Sequence, residues 1–92
     1  MARCWYVYIP PASGSQPQFN PANYRLANPS NRVPNGCGCI GGQICSIFAP
    51  NCGLTPTSPL SANLNDYITA ALVNGTCQPS TGFAFVYVKP IV

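Results

Sequence analysis

Ninety-two residues fit one domain, and only five carry charge: Arg3, Arg25, Arg32, Asp66 and Lys89. An ordinary soluble domain is about one quarter charged; with no His and a single acid, this chain lacks the groups that imidazole or paired-carboxylate catalysis requires. The net charge of +3 comes from four scattered cations rather than the basic stripe of a nucleic-acid binder, and the longest apolar run is far short of the roughly 18 residues of a membrane span.

The first element is Cys4-Trp5-Tyr6-Val7-Tyr8-Ile9, aromatic and β-branched and stopped by Pro10-Pro11, which predicts a strand. Cys4, Tyr6 and Tyr8 alternate with Trp5, Val7 and Ile9, so both faces are apolar and both want cover. Residues 10–36 follow as a long loop or arm rich in Pro, Asn and Ser, with turn signals at Asn20-Pro21, Asn28-Pro29 and Asn35-Gly36 and a brief strand over Tyr24–Ala27. After the glycine- and cysteine-rich stretch 36–42, Ile44-Cys45-Ser46-Ile47-Phe48-Ala49 predicts another strand, closed by Pro50. A helix is expected over about 59–74. Ser58 is its expected cap, Pro59 lies in the first turn, and Leu60, Leu64, Tyr67, Ile68, Ala71 and Leu72 form the apolar face, with Gly75 as the left-handed stop. Phe83-Ala84-Phe85-Val86-Tyr87-Val88-Lys89 is the strongest strand signal and is again apolar on both faces. The fold class is therefore α+β: a small antiparallel sheet of three to five short strands, stapled by disulfides, with one helix, in a single domain spanning 1–92.

Six cysteines in so short a chain predict disulfides and an oxidising, extracellular compartment. The expected pairs are Cys37–Cys45, Cys39–Cys52 and Cys4–Cys77. Zinc suits the spacing poorly, since Cys37-x-Cys39 leaves one residue where paired ligands prefer two to four; no metal and no cofactor is expected. Thiol catalysis lacks a base. The glycines around Cys37 and Cys39 lack the Gly-Lys-Ser/Thr of a phosphate loop. Asn74-Gly75-Thr76 matches a glycosylation pattern but reads better as a helix cap. The N-terminal residues show no signal-peptide pattern: if the chain is exported, a mature form with an added Met1 is expected, and if Met1 is native the disulfide reading weakens.

Asn23-Tyr24, Cys37 to Cys45-Ser46-Ile47, Pro59-Leu60 through Asn74-Gly75, and Val86-Tyr87-Val88-Lys89 together resemble a group of short secreted proteins of Gram-negative bacteria. The likeness covers about residues 23–89. The group usually has a leader, a central cysteine pair, one helix and a closing strand; this chain adds cysteines and lacks the leader. The resemblance implies export and carries over no catalytic residue.

The function expected is that of a structural subunit of an extracellular self-assembling fibre or surface layer, not an enzyme. Copies of the chain would associate through Trp5, Tyr6, Val7, Tyr8 and Ile9 of the first strand and Phe83, Phe85, Val86, Tyr87 and Val88 of the last, because one helix cannot cover both faces of a sheet and bare edges template strand addition. The alternative is a monomeric secreted binding or defence protein, resembling an inhibitor or toxin, with the 10–36 loop at its working surface. Stacking of sugars on the terminal aromatics is a less favoured use of the same side chains.

Overall fold

A computed structural model describes residues 3–10, 17–28, 30–56, 60–79 and 83–90. Its elements are β1 (Arg3–Tyr8), two short 3-10 turns (Pro17–Phe19 and Pro21–Asn23), β2 (Tyr24–Leu26), β3 (Gln43–Pro50), α1 (Ala62–Asn74) and β4 (Val86–Lys89). The strands form one antiparallel sheet in the order β2-β1-β3-β4. With one helix and three disulfides, this is the small stapled α+β architecture expected.

The β-branched and aromatic runs become strands because their side chains fit a pleated, buried surface. Register places Tyr6 opposite Ile47 and Leu26, and Val7 opposite Ser46 and Arg25. One face of the sheet thus presents Tyr6, Tyr8, Tyr24, Ile47, Val86 and Val88 to the helix side chains Leu64, Ile68 and Ala71, with Leu60 joining from just before the helix. Burying each Leu or Ile there contributes about 1.5–3 kcal/mol before entropy is counted. Tyr67 and Leu72 pack at the rim of this core.

The helix starts later than expected. Its cap is Ser61, whose Oγ accepts from the Leu64 N–H at 3.2 Å; Ser58 and Pro59 lie outside the described residues. Gly75 ends the helix at φ 67°, and its N–H donates to the Ala71 carbonyl at 2.8 Å. The last strand is shorter than predicted: regular pairing begins at Val86, although the Phe85 carbonyl still accepts from the Phe48 N–H at 2.8 Å.

Residues 10–36 are not a free arm where they are described. Tyr24 Oη donates to the Gln18 carbonyl at 2.7 Å and pins the first 3-10 turn to the sheet, and Phe19 packs against the core.

Candidate functional site

The disulfides frame whatever surface this small molecule presents. Cys37 bonds to Cys45, the pair expected from the sequence, but the other two pairings are corrected: Cys4 bonds to Cys52 and Cys39 to Cys77. The register explains the exchange. Cys4 stands opposite Ala49, and the chain doubles back through positive φ angles at Asn51 (106°) and Cys52 (53°), which returns Cys52 to within 5.2 Å of Cys4, Cα to Cα. Cys39 lies at the other end of β3, roughly 20 Å away at about 3.3 Å per residue. There Ile40 bridges Thr76, and Cys77 is its neighbour. Closing loops of 48, 38 and 8 residues contributes about 4, 4 and 2.5 kcal/mol in the chain-entropy picture.

The residues expected at a subunit interface are largely spent inside the chain. Trp5, Tyr6, Tyr8, Val86 and Val88 are buried in the single copy; Val7, Phe85 and Tyr87 are half-buried; Ile9 and Phe83 are exposed. The first strand is not an edge at all, because β2 and β3 flank it. Nor are the true edges bare. On β4, Val88 exchanges hydrogen bonds with Gly38 (2.8 and 2.9 Å) and Val86 with Gln78 (3.0 Å each way). On β2, the Leu26 N–H donates to the Leu54 carbonyl (3.0 Å), the Tyr24 N–H donates to the Pro21 carbonyl, and the Tyr24 carbonyl accepts from Arg25 Nη1 (3.0 Å). Irregular segments, joined on β2 by the Arg25 guanidinium, thus guard both edges.

The face away from the helix is also covered from within. Trp5 packs against Phe48 (ring centroids 4.9 Å apart), Tyr87 (5.4 Å) and Phe83 (6.2 Å), and the Arg3 guanidinium sits 5.2 Å over the Phe85 ring while donating to the Phe48 carbonyl. These rings meet at interplanar angles from 33° to 71°. They pack against one another in tilted and edge-to-face pairs and do not lie coplanar, as a flat platform for a sugar would. Beside them the backbone is held to β1 at Ala27 and Ser30: the Trp5 N–H donates to the Ser30 carbonyl and the Ala27 N–H to the Trp5 carbonyl.

Between Val7 and this 27–35 segment lies a partly enclosed cavity of about 250 Å³. Val7, Ala27 and Val33 supply apolar wall; Asn28, Asn35 and Arg32 supply polar groups. Arg3 and Arg25 are engaged with backbone carbonyls, whereas among the described residues Arg32 has neither a hydrogen-bond nor an ion-pair partner and its side chain is exposed. The sequence reading missed this feature, because a lone cation in a Pro/Asn loop has no periodic context. The available signal was the two-faced apolarity of β1, which demanded a second cover. A shallower cavity of about 210 Å³ opens beside Tyr8, Gln18, Gln43 and Leu72.

Burial pushes the phenols of Tyr6, Tyr8 and Tyr24 above the ordinary tyrosine range; for Tyr24 the neighbouring Tyr8 charge adds to it. They therefore stay protonated at neutral pH and act as packing groups and donors. All six cysteines are bonded. Among the described residues no three of His, Cys, Asp and Glu converge as metal ligands, and no helix is long and apolar enough to cross a membrane. Comparison of the chain with protein-family models, with curated proteins and with solved structures gives no match.

Proposed function

We propose that the chain is an exported, disulfide-stapled binding protein that works as a single folded copy. The observation that carries this reading is the cover of both sheet edges from within the chain, by the backbone of Gly38 and Gln78 on β4 and by Pro21, Leu54 and the Arg25 side chain on β2. A protein built to grow by strand addition leaves such an edge free. The scarcity of charge then follows from a surface of amides, hydroxyls and turn glycines over a stapled core. Sedimentation equilibrium on the oxidised protein, well below its pI of about 8.6, is expected to give one monomer mass over a wide concentration range. Reversible growth to larger species overturns the reading.

The second reading, a subunit of an extracellular fibre or surface layer, is favoured by the apolar side chains left in solvent: Ile40 at 80% exposed, Val73 at 78%, Leu54 at 74% and Phe83 at 61%. Its contacts would run through those turns and the outer face of α1 rather than through the terminal strands. Filaments in negative-stain images of the oxidised protein would put it first.

A further inference from the structure

We propose that the cavity between Val7 and the 27–35 segment binds a small organic carboxylate, with Arg32 as its charge partner. The inference rests on the reading of the chain as a binding protein and names the class of ligand. Arg32 is placed at this cavity with its guanidinium unengaged among the described residues, while Arg3 and Arg25 are tied to carbonyls. The chain's single acid, Asp66, is on α1. The helix packs against the Tyr6 and Tyr8 face of the sheet, whereas Val7 alternates to the other face, and among the described residues no ion pair joins Asp66 to Arg32. Among the described residues the positive charge at the cavity is thus left uncompensated.

A guanidinium presents parallel N–H donors that match the two oxygens of a carboxylate. Asn28 and Asn35 add neutral amides, and Val7, Ala27 and Val33 offer wall for a short aliphatic group. One cation suits a monoanion better than a phosphate dianion. At about 250 Å³ the space is smaller than the roughly 300–1,000 Å³ of drug-sized sites. It fits a small free acid or the terminal carboxylate and last side chain of a peptide.

The test is an NMR titration of the isotopically labelled, oxidised protein with sodium isovalerate, with isovaleramide, and with a short peptide ending in valine as free acid and as C-terminal amide. Saturable shifts at Val7, Asn28, Arg32, Val33 and Asn35 are expected from the carboxylates and not from the amides. A response to the free acid identifies a metabolite-like ligand and a response to the peptide alone a chain terminus; both support the proposal. Arg32→Gln, which leaves the side-chain hydrogen bonds among the described residues untouched, is expected to weaken binding at least about tenfold, and Arg25→Gln to leave it unchanged. Equal shifts from the amides, shifts scattered over the surface, no saturable shift, or full affinity in Arg32→Gln each overturn it. A protein that stays monomeric and ignores every carboxylate sinks this proposal alone; one that assembles into filaments sinks the binding-protein reading instead.

Discussion

Gly41 is where a single atom decides most. Its φ is +155°, and a Cβ there would fall inside contact distance of the Lys89 carbonyl, which is backbone and cannot swing away. Its own N–H donates to the Gly75 carbonyl at 2.9 Å, joining the cysteine-rich turn to the helix end. Gly41→Ala is therefore expected to destabilise by about 3 kcal/mol or more. Gly36→Ala, at φ +88° with nothing within 4 Å of the added carbon, should lose only about 1–2 kcal/mol of stability, through backbone strain alone. Urea melts of the two oxidised variants separate these outcomes, and equal losses would show that conformation rather than crowding governs both. Ser46 presents the opposite case. It is fully buried in β3 opposite Val7, and its Oγ has no hydrogen-bond partner among the described residues. An unpaired buried hydroxyl costs about 1–3 kcal/mol, so Ser46→Ala is expected to leave the melting temperature unchanged or raise it; a clear fall would mean that the hydroxyl is engaged.

Among the elements, β4 leans on its neighbours, being only four residues long and guarded by two non-strand segments. Gly38 lies between the two bridged cysteines of Cys37-Gly38-Cys39, and Gln78 follows Cys77 directly, so the Cys39–Cys77 disulfide ties together the two residues that close the outer edge of β4. Replacing both cysteines by alanine is expected to release that guard before the core opens. Hydrogen exchange should quicken at the Val86 and Val88 amides, which donate to Gln78 and Gly38, while Leu64, Ile68 and Ala71 of α1 stay protected. Accelerated exchange throughout the core would instead show that the bridge holds the whole fold. The guard was only half legible in advance. The runs around Tyr6, Ile47 and Val88 announce strands by composition, and the spacing of Leu64, Ile68 and Ala71 announces the helix. Gly38 and Gln78 pair as isolated bridges, without the repeat from which a strand is read. The cysteine pairing hid for a related reason: it turns on positive φ at Asn51 and Cys52, residues whose side chains do not demand it.

For the molecule as a whole, the apolarity of both faces of β1 and β4 correctly signalled two-sided burial, but not that a turn-rich segment and an aromatic cluster of the same chain supply the second cover. The cavity at Arg32 is a by-product of that irregular packing, which is why no motif marks it. With so few charges and no His, pH acts on this fold chiefly through its buried phenols. In the unfolded chain tyrosine ionises near about pH 10; in the fold, burial holds Tyr24 well above that, and Tyr6 and Tyr8 above it as well. Below about pH 10 both states keep these protons, and their contribution to stability is fully present. As pH climbs past that value the unfolded chain releases protons that the fold retains, so unfolding is favoured, and the loss continues until the folded groups ionise too. The slope for one shielded tyrosine is about 1.4 kcal/mol per pH unit. The expected result is a urea midpoint that no histidine titration disturbs near neutrality and that falls steeply above about pH 10, with near-ultraviolet tyrosinate absorbance rising together with unfolding. Tyr24→Phe, which forfeits the bond to Gln18, starts less stable by about 1 kcal/mol but declines more gently in alkali. A variant that falls as steeply as the parent chain would remove Tyr24 from the account and leave the alkaline limit to other groups.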